Sequence, residues 1–316
     1  MKESFDVVTG GAGFIGSHIC RGLLKRGQHV RVIDDLSSGR LENIGDLREE
    51  FSESLEFVQA DIRNLELITD LFQGAQIIYH QAAIPSVQRS VEDPIRSNSA
   101  NVDGTLNVFL AARESEVKRV VYASSSSVYG DSEILPKQEG MQVNPISPYA
   151  VAKYTNELYG KVFSDIYGLP CIGLRYFNVF GPYQDPNSDY AAVIPKFITR
   201  MLEGVPPVIF GDGEQSRDFT YVDNVVSANF AAASSQAGGA SVNIACGERF
   251  SLNELVGKLN EILGSDFQPA YEAPRPGDVK HSLADIGEAG RLIGFEPAVN
   301  FLDGLKRTVE WYRNKV

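Results

Sequence analysis

The stretch "VVTGGAGFIGSHI", residues 7–19, decides which fold we expect for this chain. A β-branched run leads into Gly10, Gly13 and Gly16, and the residues that follow favour a helix. Glycines at this spacing allow a tight turn and a close backbone approach, so the diphosphate of a dinucleotide can sit on the helix N-terminus. The stretch therefore predicts the first strand, turn and helix of a dinucleotide-binding unit.

Two acidic residues further along the chain refine that prediction. Asp34 ends the second β-branched run, where a carboxylate accepts hydrogen bonds from ribose hydroxyls and repels a 2′-phosphate. NAD is therefore favoured over NADP. Asp61, at the end of "FVQADI", is placed to reach the adenine edge, and the alternative is that it caps the next helix near Arg63.

Short β-branched runs alternate with helix-length amphipathic segments through the first half of the chain. This alternation predicts an α/β fold, a doubly wound parallel sheet of the Rossmann type that binds ligands beyond the carboxyl ends of its strands. The strand candidates are Phe5–Thr9, 30–33, 55–58, 77–79, 120–122 and 171–174, and the first helix candidates are 15–25 and 101–115.

The pattern changes after about residue 175, where Pro and Gly punctuate the chain between helical stretches at 191–202, 252–263 and 301–313. We expect residues 1–175 to form an NAD-binding Rossmann domain to which segments near 218–247 return. Residues 176–316 are predicted to form mainly a smaller C-terminal α/β substrate domain over the ligand edge of the sheet.

Composition excludes several classes of protein. The net charge of −12, without any basic run, argues against a nucleic-acid partner. The first apolar stretch is far too short for a membrane span or a signal peptide. The three scattered cysteines, Cys20, Cys171 and Cys246, predict reduced thiols in a cytoplasmic protein, and the four histidines lack metal-ligand spacing.

A candidate catalytic pair lies in "SPYAVAK", residues 147–153. Ser147 is a predicted N-cap and Pro148 takes the first helical position, so Tyr149 and Lys153 lie one turn apart on one helical face. A lone Tyr-x-x-x-Lys arises by chance in most long chains. Its combination with the glycine turn and with the serine run "SSSSVYG", residues 124–130, gives it meaning.

Taken together, these motifs resemble the extended short-chain dehydrogenase/reductase superfamily, and within it the UDP-glucose/UDP-N-acetylglucosamine 4-epimerase branch. The resemblance spans nearly the whole chain. It is carried by "TGGAGFIG", "DDLSSG", "ADIRN", "HQAA", "SSSSVYG", "SPYAVAK", "LRYFNVFGPYQDP", "GDGEQSRDFTYVDN" and "RPGDVKHSLADI". It implies an isomerase with tightly bound NAD, a UDP-sugar substrate inverted at C4 through a transient 4-keto sugar, and a homodimer formed by the Tyr-x-x-x-Lys helix and its neighbour.

The resemblance also implies catalytic roles. Tyr149 would be the base, which requires its phenol pKa to fall by about three units, roughly 4 kcal/mol. An ammonium about 5 Å away at an effective dielectric near 20 supplies about 3 kcal/mol, so we expect Lys153 to lower that pKa. Ser125 would hydrogen-bond the sugar O4 and relay its proton. Ser127 would face the sugar as well, and the other two serines of the run would satisfy neighbouring groups.

The cofactor and substrate contacts follow from the same resemblance. The implied cofactor residues are Gly10, Gly13, Phe14, Ile15, Gly16, Asp34, Ser38, Gly39, Asp61, Ile62, Gln81, Ala82, Ala83, Asn101, Tyr149, Lys153 and Tyr176. The implied substrate residues are Ser125, Ser127, Tyr149, Asn178, Ala192, Phe210, Arg217, Arg275, Asp278 and Ser282.

Within the substrate set, the resemblance places Asn178 and two arginines, Arg217 and Arg275, on the diphosphate, which guanidinium groups suit. Asp278 would hold the uridine ribose. Phe210 would stack near the uracil, or it could belong to the core.

Sugar specificity depends on a position that acts as a gate in the family. Ser282 is small there, and with Ala192 it predicts room for an N-acetyl group at C2. A pocket that admits the larger group cannot strongly reject the smaller one, so activity on both UDP-hexoses and UDP-N-acetylhexosamines is expected. Pro85 departs from the lysine or glycine of better-known relatives near the sugar.

Other functions remain open at this point. Sugar-nucleotide dehydratases and uronate decarboxylases share the motifs but carry a carboxylate in the segment that matches the serine run, which here has none. UDP-glucuronate 4-epimerases also use a serine run and remain an alternative. A non-catalytic NAD-binding protein would be expected to lose Tyr149 or Lys153.

Overall fold

The computed structural model describes residues 4–186, 192–274 and 280–315. Its strands are β1 Phe5–Thr9, β2 His29–Asp34, β3 Leu55–Gln59, β4 Ala75–His80, β5 Arg119–Ser125, β6 Cys171–Tyr176, β7 Val179–Phe180, β8 Val208–Phe210, β9 Ser216–Arg217, β10 Thr220–Tyr221, β11 Ala240–Ile244, β12 Phe250–Ser251 and β13 Ala270–Glu272. Seven of them form one sheet in the order β11-β6-β5-β4-β1-β2-β3.

Every pairing in this sheet is parallel. The order of the strands along the chain reverses direction between β1 and β4. Doubly wound sheets open a crevice at their carboxyl edge where the strand order reverses. The α/β fold class with a parallel, Rossmann-type sheet is therefore confirmed.

The helices are α1 Phe14–Leu24, α2 Gly45–Glu50, α3 Leu65–Phe72, α4 Val87–Glu92, α5 Pro94–Asn98, α6 Gly104–Glu114, α7 Pro148–Tyr167, α8 Val193–Leu202, α9 Val222–Ser234, α10 Leu252–Leu263, α11 Gly287–Ile293 and α12 Phe301–Arg313. Two 3₁₀ turns, Leu41–Ile44 and Ser126–Tyr129, follow β2 and β5, and a π-helical turn, Ser99–Asp103, leads into α6.

Alternating strand residues build two cores on opposite faces of the sheet. Val8 and Val121 pack in a cluster that includes residues of α1 and α9, whereas Val7 and Val120 pack in a cluster that includes residues of α3, α6 and α7. Successive side chains of a strand point to opposite faces, so these apolar runs are buried on both sides. The helices thereby fix where each strand ends, and the site forms at those ends.

A third core lies in the later part of the chain. Residues of α8, α10 and α12 pack with a group of aromatic rings in which Phe301 stacks on Phe250 and Phe219, with ring centroids 4.3 and 5.3 Å apart. Three two-stranded sheets, β10 with β7, β12 with β9 and β13 with β8, accompany it. The strand β11 and the helix α9 pack on the large sheet although they follow β7 along the chain.

Among the described residues, no helix combines the length and apolar character needed to cross a bilayer. Within those same residues there is also no group of three or more His, Cys, Asp or Glu side chains placed to hold a metal ion.

Candidate active site

The glycine turn after β1 brings two backbone segments too close together for side chains. Gly10 has φ +69°, and a Cβ there would lie 2.6 Å from the amide nitrogen of Ala82. A Cβ on Gly16 would lie 2.1 Å from the carbonyl oxygen of Gly10. Gly13 is the N-cap of α1 and offers no side-chain cap. The first turn of α1 therefore opens into the cleft as a backbone cradle suited to a diphosphate.

Asp34 lies beside this cradle at the end of β2. Its side chain is buried, and its two oxygens accept hydrogen bonds from the backbone nitrogens of Ala12 (3.0 Å) and Leu36 (2.9 Å). Burial raises the pKa of Asp34, and these two hydrogen bonds counteract that rise. A Cβ on Gly39 would lie 2.7 Å from the carboxylate, so the loop after β2 closes on Asp34 only with glycine there.

A cleft of about 490 Å³ runs along the carboxyl ends of β1 to β6. Its lining includes all predicted cofactor residues except Gly39 and Asn101, namely Gly10, Gly13, Phe14, Ile15, Gly16, Asp34, Ser38, Asp61, Ile62, Gln81, Ala82, Ala83, Tyr149, Lys153 and Tyr176. The same cleft is lined by the predicted substrate residues Ser125 and Asn178.

Two predicted cofactor residues have other positions. Gly39 faces Asp34, as described above. Asn101 is fully buried, and its side-chain amide accepts a hydrogen bond from the nitrogen of Ile84 (2.7 Å) and donates one to its oxygen (3.1 Å). Asn101 thus holds the loop after β4, while its neighbour Ala100 lines the cleft.

Asp61 pairs with Arg63, whose guanidinium lies 2.5 Å from the carboxylate and lowers the pKa of Asp61. The alternative that Asp61 caps the next helix is wrong, because the cap of α3 is Asn64, which accepts from the nitrogen of Leu67 (3.2 Å). Asp61 therefore faces the cleft with its charge balanced by a neighbour.

The Tyr-x-x-x-Lys pair lies at the start of α7. Ser147 caps the helix by accepting from the nitrogen of Ala150 (3.1 Å), and Pro148 takes the first position, as predicted. The Lys153 ammonium lies 5.7 Å from the Tyr149 ring centre and donates to the carbonyl oxygen of Ala123 (2.8 Å). Burial lowers the pKa of Lys153 to about 8, which leaves it mostly protonated at pH 7.

The Tyr149 hydroxyl differs from the prediction made for it. Burial raises the pKa of Tyr149, and a hydrogen bond with Ser125 opposes that rise. The predicted lowering of the Tyr149 pKa is therefore wrong for the protein without bound ligands, because removing the phenolate from water raises that pKa.

The serines of the run at the end of β5 have different hydrogen-bond partners. Ser125 ends β5 and accepts from the nitrogen of Ser127 (3.1 Å), so it turns the chain at the cleft. The hydroxyl of Ser127 is buried and has no hydrogen-bond partner within the described residues. Ser124 also lines the cleft, but its hydroxyl donates to Glu157 (2.5 Å) on α7.

A second pocket of about 220 Å³ adjoins the cleft and is lined by three predicted substrate residues, Asn178, Ala192 and Arg217. Asn178 belongs to both cavities and has φ +22°. The Ser282 hydroxyl donates to the side-chain oxygen of Asn178 (3.3 Å), which places the predicted gate beside it.

Of the remaining predicted substrate residues, Phe210 lines neither cavity. Phe210 ends β8, and its carbonyl oxygen accepts from the Gln215 side chain (2.6 Å). Arg275 and Asp278 lie outside the described residues.

Two features in and behind the cleft were not predicted from the sequence. Pro85 was noted only as a departure, yet it lines the cleft together with Arg96, a residue that no motif singled out. The buried ion pair of Glu157 with Arg175 was also missed. Its only sequence signal was the placement of Glu157 one turn beyond Lys153.

The comparisons with known proteins agree with this geometry. Residues 7–245 match the model of the NAD dependent epimerase/dehydratase family. The chain belongs to this family. It is 40% identical over 311 residues to a UDP-glucose 4-epimerase of Mycolicibacterium smegmatis, with 98% of each chain covered.

Two solved structures are similar over nearly their whole length. One is a UDP-N-acetylglucosamine 4-epimerase from Methanobrevibacter ruminantium M1 in complex with UDP-N-acetylmuramic acid, with 43% identity, a TM-score of 0.94 and 100% of both chains covered. The other is a UDP-glucose 4-epimerase from Thermotoga maritima with UDP-glucose, with 39% identity, a TM-score of 0.92 and 99% of both chains covered.

These matches confirm the predicted resemblance to UDP-sugar 4-epimerases of the short-chain dehydrogenase/reductase superfamily. They also confirm the NAD cofactor and the enzyme class, an isomerase of the UDP-sugar 4-epimerase type.

Proposed function

We propose that this enzyme interconverts UDP-glucose with UDP-galactose and UDP-N-acetylglucosamine with UDP-N-acetylgalactosamine through a transient 4-keto sugar. The observation that carries the proposal is the meeting of Tyr149, Lys153 and Ser125 at the end of β5, in the cleft that also holds the glycine cradle. These three groups can take a proton from a sugar hydroxyl, relay it and stabilise the charge that forms.

The cleft fits NAD on its own geometry. The cradle of Gly10 and Gly16 would hold the diphosphate, Asp34 would accept the ribose hydroxyls, and Lys153 would hold the nicotinamide ribose. When bound, NAD supplies the reversible oxidation of the sugar at C4.

Tyr149 is proposed as the base that takes the proton of the sugar 4-hydroxyl and later returns it. Ser125 lines the cleft with Tyr149 and would give that proton a path, since its hydroxyl can donate to the phenolate while it accepts from the sugar O4. Lys153 brings a buried positive charge within 5.7 Å of the ring. Its charge would favour the phenolate, more so when the cleft excludes water.

The serine run also bears on what the intermediate can do. Among the described residues that line the cleft, the carboxylates are Asp34, Asp35 and Asp61, which follow β2 and β3 and not β5. Elimination of water from the sugar needs an acid and a base beside C5 and C6. We therefore propose that the 4-keto sugar is reduced again and does not lose water.

On the substrate side, we propose that Asn178 and Arg217 hold the UDP diphosphate with Arg275, while Asp278 holds the uridine ribose and Phe210 lies near the uracil. Asn178 spans both cavities, which is the position expected of a group between sugar and nucleotide. Ser127 would meet the sugar with its buried, unpartnered hydroxyl.

We propose that Ser282 sets the tolerance for the C2 substituent. It lies beside Asn178, and its small side chain leaves room that a larger residue would fill. UDP-glucuronate remains the alternative substrate, and the experiment below separates it from the hexoses.

The enzyme is also proposed to be a cytoplasmic homodimer. Apolar side chains on one face of α7 are exposed, as are others on the neighbouring α4 and α5. They are Val151, Leu158, Val162 and Ile166 on α7, and Val91 and Ile95 beside it. A second copy of the helix pair would cover them. The three free cysteines are consistent with a reducing compartment.

The function is tested by incubating the purified protein, without added cofactor, with each of UDP-glucose, UDP-N-acetylglucosamine and UDP-glucuronate. NMR then detects the 4-epimer. We expect epimers of the first two. Turnover of UDP-glucuronate alone would favour the alternative, and no epimer from any of them, even with NAD⁺ supplied, would refute the proposal. Light scattering coupled to size-exclusion chromatography tests the dimer, which Leu158→Arg should dissociate.

A further inference from the structure

Three consecutive residues at the end of β5 face three successive turns of α7. Ser125 lines the cleft with Tyr149 and counteracts the rise in its pKa, the carbonyl oxygen of Ala123 accepts from Lys153 (2.8 Å), and the side chain of Ser124 donates to Glu157 (2.5 Å). The helix residues are spaced by four, so they lie on one face of α7. The first two contacts belong to the proposed chemistry, whereas the third lies behind it.

The third contact is the most firmly held. Glu157 and Ser124 are both buried, and the Glu157 carboxylate also accepts two hydrogen bonds from Arg175 on β6, at 2.8 and 2.6 Å. Arg175 lies opposite Ser124 in the register of β5 and β6. One carboxylate thus joins α7, β5 and β6 at a single point.

Arg175 extends this connection across the sheet. Its guanidinium donates to the Tyr129 hydroxyl (2.8 Å), which in turn donates to Asn243 (2.7 Å) on β11. Each side chain in this hydrogen-bond network therefore has a partner. The members of the network are Ser124, Glu157, Arg175, Tyr129 and Asn243. A buried polar network is rigid under this condition.

We propose that Ser124 and Glu157 are positioning residues for the epimerisation, and that their hydrogen bond fixes the register of α7 on β5 so that the Tyr149 hydroxyl, the Ser125 hydroxyl and the Lys153 ammonium meet. This inference rests on the proposed function of those three groups. Neither Ser124 nor Glu157 needs to touch substrate or cofactor in this role.

The physical basis is the strictness of reaction geometry. Ser124 shares its backbone with Ala123 and Ser125, so a shift of Ser124 toward or away from α7 moves both neighbours. A misplacement of about 1 Å can cost a hundredfold in rate. Glu157 is four residues from Lys153, so the same contact also sets the axial position of the lysine.

The principal test compares Ser124→Ala with wild type. The variant removes the donor and leaves the ion pair of Glu157 with Arg175 intact. We expect kcat to fall about ten- to a hundredfold while KM stays within about twofold and the NAD content is unchanged. Ser124→Thr, which keeps a hydroxyl, should recover most of kcat.

A second readout needs no turnover. The Tyr149 phenolate is followed by the difference in ultraviolet absorbance between each protein and its Tyr149→Phe counterpart as pH rises. The hydrogen bond with Ser125 lowers the pKa of Tyr149, so loosening Ser125 should move this titration to higher pH. His80 lies near Lys153, but burial and the lysine charge lower its pKa to about 3, so it stays neutral throughout.

The matched control is Ser164→Ala on the same helix. The Ser164 hydroxyl accepts from the nitrogen of Cys171 (2.9 Å) and so also ties α7 to β6, but far from Tyr149. Equal effects of the two alanine variants on kcat, or an unchanged Tyr149 titration in Ser124→Ala, would overturn the positioning role. A wild type that turns over no UDP-sugar would instead refute the proposed function, and the titration would still test the positioning.

Discussion

A buried aspartate receives more backbone hydrogen bonds at the carboxyl end of the parallel sheet than at the amino end. Asp34 at the carboxyl end and Asp6 at the amino end are each 6% exposed. Two backbone amides hold Asp34, whereas Asp6 accepts one hydrogen bond, from the nitrogen of Ile77 (3.2 Å). Burial raises the pKa of Asp6 to about 6, a rise that this hydrogen bond and the Lys118 charge only partly oppose.

The two aspartates differ because free backbone N–H groups are more numerous at the carboxyl end of the sheet than at the amino end. At the carboxyl end, turns and helix N-termini point amides at anions, so the same geometry that stabilises Asp34 can receive a cofactor diphosphate. At the amino end, strands begin and such amides are fewer. A buried charge there reduces stability without contributing to the site, and the predictions below test this contrast.

The largest effect is expected for Tyr149→Phe. Removing the proposed base should lower kcat about a thousandfold, within the range that general acid–base catalysis contributes. The phenyl ring keeps the packing of Tyr149, so thermal unfolding and NAD content should stay as in wild type. A variant that retained full turnover would show that the carboxyl end does its chemistry through another group.

Gly16→Ala should come next. Its Cβ would lie 2.1 Å from the carbonyl oxygen of Gly10, so the cradle must open. We expect NAD affinity, measured by calorimetry, to fall at least a hundredfold, about 3 kcal/mol, the upper range for inserting a methyl group into a packed site. Gly257→Ala is the control, since a Cβ there meets nothing within 4 Å, and it should bind NAD normally.

Asp6→Asn should change the pH dependence of stability. The folded-state pKa of Asp6, about 6, lies above its unfolded value, so the folded protein binds the extra proton between pH 4 and 6. Wild type should therefore lose up to about 3 kcal/mol of unfolding free energy, relative to the variant, as pH rises from 4 to 7. Denaturant unfolding at both values measures this.

The matched variant at the other end is Asp34→Asn. Because two amides hold the Asp34 carboxylate, the difference in unfolding free energy between wild type and Asp34→Asn should change less from pH 4 to 7 than it does for Asp6→Asn. An equal or larger change for Asp34 would remove the contrast between the two ends.

The smallest effect is expected for a change of sugar specificity at Ser282, which lies beside Asn178 over the carboxyl end of the sheet. Ser282→Tyr should lower kcat/KM for UDP-N-acetylglucosamine about tenfold relative to UDP-glucose, or ~1.4 kcal/mol, in the range that pocket size alone can discriminate. The ratio of the two values, measured on one preparation, cancels any loss of stability. An unchanged ratio would place the specificity determinant elsewhere.

Much of the fold could be predicted from the sequence because its signals are local. The β-branched runs at 30–33 and 171–174 became β2 and β6 with only their ends extended, and Ser147 with Pro148 marked the start of α7. The strand β11 was not among the strand candidates, although its short run "ASVNI" alternates apolar and polar residues as a strand does. Only pairing with β6 decides its conformation.

The site was predictable where a motif implies a backbone shape, and less so where it depends on long-range contacts. The glycines and Tyr149 could be located because several motifs occur together in the order expected along the chain. The partners of Asn101 and Ser124 could not, since Ile84 and Glu157 are brought to them by the packing of helices on the sheet. The direction of the Tyr149 pKa shift was missed for the same reason, because burial is a property of the assembled fold.

The position of β11 also affects how the protein is made. The strand β6 ends at Tyr176, but its outer partner begins only at Ala240. At a synthesis rate of about 5–20 residues per second, a nascent chain would present the apolar edge of β6 for several seconds before that partner left the ribosome. An unpaired edge of this kind invites pairing with other chains. Slow translation between these two strands should therefore favour aggregation over a soluble yield.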